Sequence, residues 1–129
     1  MMHKFLIEKR RIIVFAKVQG INDTMEFKFI LDTGATKTIV SQQVAIMLGY
    51  DLKKLQKGDS LMTAGGSTNS KILNLPKLSL FGKDMINFEV SVLDLPLQIT
   101  YFVDGLIGMD FLLKFKNIKF DFDAKTIEI

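Results

Sequence analysis

A single carboxylate stands out because of its place in the sequence. Asp32 directly follows the apolar run Phe29-Ile30-Leu31 and is itself followed by Thr33 and Gly34. Asp and Gly both favour turns, so an ordinary turn after a strand is one interpretation. A buried apolar strand that ends in an acidic residue is an unusual place for a random carboxylate, because charged side chains are seldom buried. We therefore interpret Asp32 as a candidate catalytic residue.

Hydrolysis of a peptide bond is the chemistry that such a carboxylate could perform, and it requires two carboxyl groups. One acts as the base on a water molecule while the other, protonated, donates to the carbonyl oxygen. Two carboxylates within hydrogen-bond range cannot both ionise, so they share one proton. The sequence contains Asp-Thr-Gly only once. A second carboxylate in the same Asp-Thr-Gly setting would therefore have to come from a second copy of the chain, related by a two-fold axis.

Other kinds of catalysis lack the residues that they need. The chain has no Cys and one His, His3, so disulfides, thiolate chemistry and Cys-type zinc sites are excluded. A nucleophile-His-acid triad has no plausible base, because His3 is expected to be a solvated residue of a flexible N-terminus. Asp121 and Asp123 alternate along a strand and are expected to form a solvated face rather than a metal site. We predict neither a metal nor a cofactor.

The composition is that of one globular domain over residues 1–129, with 48% hydrophobic and 24% charged residues. The formal net charge is only +3 and the lysines are scattered, so we predict no nucleic-acid partner, which would favour a dense basic face. No apolar stretch reaches the roughly 20 residues of a membrane helix, and the N-terminus lacks a signal-peptide pattern. We therefore expect no membrane association and a cytoplasmic location.

The elements that would position Asp32 are mostly strands. Residues 11–18 and 25–31 are rich in Ile, Val and Phe and are predicted to form a hairpin around the turn residues 19–23. Further short apolar segments alternate with turn signals along the rest of the chain. This pattern predicts an all-β barrel or sandwich with one or two short helices.

A short helix is predicted soon after the Asp32 segment. Ser41 has the side chain of an N-cap and Gly49 that of a helix-stopping residue. Val44, Met47 and Leu48 lie between them at helical spacing and are predicted to share the buried face.

Three other segments complete the pattern. Leu106-Ile107-Gly108 places two apolar residues and a Gly before a second short helix, which is predicted over residues 109–115. The small residues Ala64-Gly65-Gly66-Ser67 lie between apolar segments and are interpreted as a mobile hairpin tip, or else as an exposed turn without a role. The polar segment 51–58 is expected to be a solvated connection.

Taken together, Leu31-Asp32-Thr33-Gly34-Ala35-Thr36 and Leu106-Ile107-Gly108-Met109-Asp110-Phe111-Leu112 resemble segments of the retropepsin family. This family comprises the single-domain aspartic proteases of retroviruses and their bacterial relatives, and the chain is most similar to the bacterial members. The resemblance covers nearly the whole chain. It implies a closed acid-protease-type β-barrel that is one subunit of a two-fold homodimer.

The resemblance also implies roles for individual residues. Asp32 would be catalytic, and Thr33, Gly34 and Ala35 would support its loop. Residues Ala64, Gly65, Gly66 and Ser67 would form a flap over the substrate, and Leu106, Ile107 and Gly108 would pack beside the catalytic loop.

Two positions in these segments have particular consequences. Ala35 stands where pepsin-like relatives often have Ser, so the charged carboxylate has one hydrogen bond fewer and activity is expected to be highest at mildly acidic pH. Met109 stands where retroviral members usually have an Arg that braces the dimer, so the mode of dimer contact is expected to differ from theirs.

Three hypotheses of function follow. The first is an aspartic endopeptidase that cleaves a peptide or protein substrate with one Asp32 from each subunit of a homodimer. The second is a catalytically silent relative that uses the same dimeric fold to bind a peptide or a partner protein, since fold does not determine function. The third is a structural β-barrel with a coincidental Asp-Thr-Gly. The intact triplet favours the enzyme.

Overall fold

The computed structural model describes residues 1–63 and 66–129 of the chain. Most of these residues are in strands, which confirms the prediction of a mainly β protein. In chain order the strands are β1 (Met2–Lys4), β2 (Leu6–Glu8), β3 (Arg11–Gln19), β4 (Thr24–Leu31), β5 (Ile39–Ser41), β6 (Gln56–Thr63), β7 (Gly66–Leu80), β8 (Lys83–Leu93), β9 (Gly105–Ile107), β10 (Lys119–Asp121) and β11 (Thr126–Glu128).

The helices are short. They are α1 (Gln42–Met47), α2 (Leu97–Thr100) and α3 (Met109–Leu112), with a 3-10 turn at Leu52–Lys54. No helix in the described part of the chain is long and apolar enough to cross a bilayer.

Two sheets account for the described strands. Eight strands form the larger sheet in the order β2-β3-β4-β9-β5-β8-β7-β6, and β3 also pairs with β7. The smaller sheet has the order β1-β11-β10 and so joins the two ends of the chain. Within the larger sheet β4 pairs in parallel with β9, whereas β3 and β4 form the predicted antiparallel hairpin.

The hairpin of β3 and β4 shows why these residues form strands. Val14, Ala16 and Val18 are buried while the residues between them are exposed, which is the alternation expected of a sheet with one face on the core. Val14 lies opposite Phe29, which is fully buried. These side chains belong to the main hydrophobic core, together with Phe111 from α3. The core therefore supports the strand that ends at Asp32.

The first predicted helix is present, with one error in its buried face. The Ser41 hydroxyl accepts a hydrogen bond from the Val44 N–H at 3.2 Å, so Ser41 is the N-cap. Gly49 follows the helix at φ +97°, as a helix-ending Gly should. Val44 and Leu48 are buried, but Met47 is 57% exposed. Ala45 takes the buried position instead, because Val44, Ala45 and Leu48 share one side of the helix and Met47 lies roughly 100° from its centre.

The N-terminus differs from the expected flexible segment. β1 pairs with β11, and Phe5 between β1 and β2 is buried. His3 is half-buried in β1, with its ring 5.4 Å from the ring of Phe81, so it is not a solvated terminal residue. Local sequence patterns could not indicate this pairing, because the partner of β1 lies at the other end of the chain.

Other boundaries also differ from the prediction. The polar connection is shorter than segment 51–58, because β6 begins at Gln56 and extends the hairpin with β7. The second predicted helix ends earlier, at Leu112, and α2 was not predicted at all. Pro96 acts as its N-cap residue. A helix of four residues is too short to produce a detectable periodicity.

Candidate active site

Asp32 lies directly after β4, in a loop that the parallel pairing with β9 holds in place. The backbone N–H of Asp32 donates to the carbonyl oxygen of Ile107 at 2.9 Å, which continues the ladder between β4 and β9. The preceding Leu31 is buried, whereas Asp32 itself is partly exposed. The apolar strand thus fixes the backbone while the carboxylate reaches the surface of a pocket.

The loop folds back on the Asp32 carboxylate. The Gly34 N–H donates to Asp32 Oδ1 at 2.8 Å, and the Ala35 N–H donates to the carbonyl oxygen of Asp32 at 3.2 Å. A Cβ on Gly34 would lie 3.1 Å from Oδ1, so glycine permits this close approach of backbone to carboxylate. Thr33 and Gly34 are exposed. One carboxylate oxygen is therefore oriented by the loop.

The segment Leu106-Ile107-Gly108 lies against the same loop. The Met109 N–H donates to the Ala35 carbonyl oxygen at 2.8 Å, and the Asp110 N–H donates to that of Thr36 at 3.2 Å. Gly108 is buried at this contact, and a Cβ there would lie 2.6 Å from the carbonyl oxygen of Lys37. The structure therefore brings together the two segments on which the sequence resemblance was based.

A hydrogen-bonded pair, the buried Thr38 and the partly buried Asp110, joins the two segments and was missed in the sequence as part of the site. Asp110 Oδ1 accepts from the Thr38 hydroxyl at 2.8 Å, and Oδ2 accepts from the Thr38 N–H at 2.9 Å. The Thr38 hydroxyl oxygen in turn accepts from the Gly108 N–H at 3.1 Å. Asp110 Oδ1 also accepts from the N–H of Phe111 at 2.8 Å. The only sequence signal was an acid in the first turn of a helix, which the helix dipole explains equally well.

We expect Asp110→Asn to lower the free energy of unfolding by about 2 kcal/mol, because an amide NH₂ would face donors that now reach a carboxylate oxygen. Urea denaturation measures this change. The control is Asp121→Asn, since the Asp121 carboxylate accepts one exposed N–H within the described part of the chain, that of Ala124, at 2.9 Å. If both substitutions lowered the free energy of unfolding by the same small amount, the result would contradict a bracing role for Asp110.

The predicted flap residues are only partly described. Ala64 and Gly65 lie outside the described residues. Gly66 and Ser67 begin β7, where they pair with the end of β6. Their role as a flap stays a prediction, but Leu61 of the same hairpin lines the pocket that contains Asp32.

The pocket at Asp32 has a volume of about 560 Å³. Its wall is mainly apolar, and Asp32 is the one acidic residue among the described residues that line it. The lining residues are Arg11, Ile30, Asp32, Gly34, Ala35, Thr36, Lys37, Ile39, Leu61, Leu95, Pro96, Ile99 and Leu106. Such a wall suits apolar side chains, and its polar groups are concentrated at the Asp32 loop.

Comparison with known proteins identifies the family. The model of the family described as gag-polyprotein putative aspartyl protease matches residues 18–114, which include both segments of the site. The chain belongs to this family. The resemblance to retropepsin-like aspartic proteases that the sequence motifs indicated is thereby confirmed.

Individual retropepsin-like relatives agree with this assignment. A retropepsin-like aspartic protease from Rickettsia conorii superimposes with a TM-score of 0.74 and 25% identity, covering 98% of this chain and 88% of that one. The EIAV protease complexed with the inhibitor HBY-793 shares the fold, with a TM-score of 0.63 and 20% identity over 82% of this chain and 88% of its own.

A further relative in this comparison is longer than the chain. An uncharacterized protein of Rickettsia prowazekii (strain Madrid E) is 30% identical over 101 residues, which are 78% of this chain and 41% of the relative. The chain therefore spans less than half the length of that curated relative.

Proposed function

We propose that the protein is an aspartic endopeptidase that works as a homodimer with one Asp32 from each subunit. The observation that carries the proposal is the loop itself. Its Gly34 N–H orients the Asp32 carboxylate at 2.8 Å, while Thr33 and Gly34 remain exposed beside it. This is the arrangement that a carboxylate needs if an identical loop is to meet it across a two-fold axis.

The reaction follows from two such carboxyl groups sharing one proton. The ionised Asp32 takes a proton from a water molecule as the water oxygen bonds to the peptide carbonyl carbon, and the protonated Asp32 of the other subunit donates to the carbonyl oxygen. The Asp32 that took the proton from water then passes it to the amide nitrogen as the C–N bond breaks, and the other Asp32 takes a hydroxyl proton back from the tetrahedral intermediate. The products are a carboxylic acid and an amine, and the pair of carboxyl groups again shares one proton. Water is the co-reactant.

The dimer is needed because one subunit provides one acid. In the described residues, Asp32 is the sole carboxylate on the pocket wall. Both terminal strands already have partners within one subunit, since β1 pairs with β11. We therefore propose that the subunits meet through the Asp32 loops, with Thr33 near the axis, and that each contributes a closed barrel completed by the pairing of β3 with β7.

A peptide is the substrate class that suits this pocket. The apolar wall can hold a side chain, and β6 is the last strand of its sheet, so its outer edge can pair with an extended peptide. Residues Ala64 to Ser67 would close over that peptide as a flap, where glycines permit opening and closing.

We expect the specific activity to fall on dilution, because dissociated subunits hold one Asp32 each. Well below the dimer dissociation constant, a tenfold dilution should lower the activity per subunit by about tenfold, by mass action. Cleavage of a peptide library measures the activity, and sedimentation velocity at the same concentrations measures the dimer.

The control is a tandem fusion of two copies through a flexible Gly/Ser linker. Its two copies stay at a high effective concentration, so its activity per site should not change on dilution. A tandem protein with Asp32→Asn in one copy should lose activity. Full activity in a sample that sediments as the single-copy monomer would refute the two-carboxylate site.

A further inference from the structure

The tip of the hairpin between β2 and β3 carries three consecutive cations, Lys9, Arg10 and Arg11, which we call the basic hairpin. Glu8 pairs with Arg11 across the hairpin, so Lys9 and Arg10 form a two-residue turn. Both have positive φ, 51° and 62°, as a type I′ turn requires. Asn and Gly are the residues that favour this turn, so long cationic side chains are kept here at a conformational cost.

The basic hairpin lies at the catalytic pocket. Arg11 lines the pocket that contains Asp32. Lys9 Nζ lies 4.3 Å from the ring centroid of Tyr101 and 5.1 Å from that of Phe102, and the Arg11 guanidinium carbon lies 5.8 Å from the latter. These rings directly follow α2. Cation–π contacts therefore hold the hairpin against the segment that follows α2, a helix whose Ile99 lines the pocket.

The positive charge of the basic hairpin is not neutralised. The nearest acid in sequence, Glu8, is ion-paired with Lys28 at 2.7 Å. The other cation on the pocket wall, Lys37, is ion-paired with Glu89 at 2.9 Å. Among residues 1–63 and 66–129, no carboxylate forms an ion pair with Lys9, Arg10 or Arg11. Exposed cations beside an apolar pocket create a positive potential where a ligand enters.

We propose that the basic hairpin determines specificity by binding acidic side chains of a peptide whose apolar side chain occupies the adjacent pocket. The proposal rests on the proposed function in one respect, because it takes the pocket as a peptide-binding site. It does not require that the peptide is cleaved. Arg11 is the central residue because its guanidinium lies on the pocket wall. One terminal nitrogen donates to the carbonyl oxygen of Lys9 at 3.1 Å, and the remaining N–H groups can form a two-point contact with a carboxylate. Lys9 and Arg10 add attraction at longer range.

Two fluorescein-labelled peptides test the proposal. Both peptides have a central Leu-Phe. In the Glu peptide, Glu residues flank this pair on both sides. In the Gln peptide, Gln replaces each of these Glu residues and the rest of the sequence is identical. Binding is measured by fluorescence anisotropy to protein carrying Asp32→Asn, so that nothing is cleaved, and cleavage is measured with unaltered protein. We expect roughly tenfold tighter binding of the Glu peptide, declining as salt is added.

Substitutions in the basic hairpin should remove this preference. Arg11→Gln should weaken binding of the Glu peptide by roughly tenfold more than it weakens binding of the Gln peptide, and Arg11→Lys should keep most of the preference. The matched control is Lys125→Gln. Lys125 is also an exposed turn lysine at positive φ, 55°, but it lies between β10 and β11 and not on the pocket wall.

The outcomes separate this proposal from the proposed function. Cleavage of both peptides with equal binding would overturn the role of the basic hairpin and leave the endopeptidase intact. Preferential binding of the Glu peptide without cleavage would support the role of the hairpin and count against the enzyme. No binding of the Glu peptide would overturn the proposal, as would Arg11-dependent binding of a single-stranded oligonucleotide without any preference between the peptides.

Discussion

Asp32→Asn is expected to lower kcat for peptide cleavage by about a thousandfold, because neither subunit then has a carboxyl group to move protons to or from the substrate. The fold should survive. The amide oxygen of Asn can accept the hydrogen bond that the Gly34 N–H now donates to Oδ1 at 2.8 Å. Cleavage of a mixed peptide library, followed by mass spectrometry, measures the loss.

Two controls make this result specific to the site. Asp123→Asn removes an exposed carboxylate from the turn between β10 and β11 and should leave kcat unchanged. A transition-state-like inhibitor of aspartic proteases should block cleavage by the unaltered protein. Cleavage that persists after Asp32→Asn would refute the mechanism. Peptide binding without any cleavage by the unaltered protein would instead identify a silent relative.

Gly108→Ala is expected to lower the free energy of unfolding by about 3 kcal/mol, a large effect for a single methyl group. The added Cβ would lie 2.6 Å from both the carbonyl carbon and oxygen of Lys37 and 2.8 Å from the carbonyl oxygen of Ala35. These are backbone atoms of the Asp32 loop and cannot move aside as a flexible side chain would. The φ of Gly108 is −101°, which Ala adopts without strain, so the cost is steric.

Gly49→Ala is the matched control for this prediction. Its Cβ would meet no atom closer than 3.5 Å, so only the positive φ of +97° opposes it. That conformation should cost about 1 kcal/mol. Urea denaturation gives both values, and a peptide-cleavage assay shows whether displacement of the Asp32 loop also lowers kcat. A smaller loss of stability for Gly108→Ala than for Gly49→Ala would contradict the close packing of the two segments.

The local part of the site was predictable from the sequence. Asp32 follows an apolar strand, and the Ser41 N-cap and the hairpin of β3 and β4 have patterns that local physics determines. The prediction that Met47 is on the buried face was wrong, because in a helix of six residues the contacts with neighbouring elements decide which side is buried. β1 was missed because its pairing partner is a distant strand. α2 was missed because it is too short to show a helical periodicity.

The network behind the Asp32 loop could not be predicted in the same way. Thr38 and Asp110 are far apart in sequence, and neither residue type indicates that the two side chains are hydrogen-bonded. Arg11 raises the same difficulty. In the sequence it is the last of three consecutive basic residues, and only its place on the pocket wall distinguishes it.

The sequence by itself determined the mainly β class, the family and the candidate acid, because strand periodicity and a short sequence motif are local properties. The tertiary structure decided what surrounds Asp32: the Gly34 N–H on its carboxylate, Gly108 against the loop, and the pocket with Arg11 at its edge. These contacts join segments distant in the chain. Their geometry depends on the pairing of β4 with β9 and on core packing, which arise only when the whole chain folds.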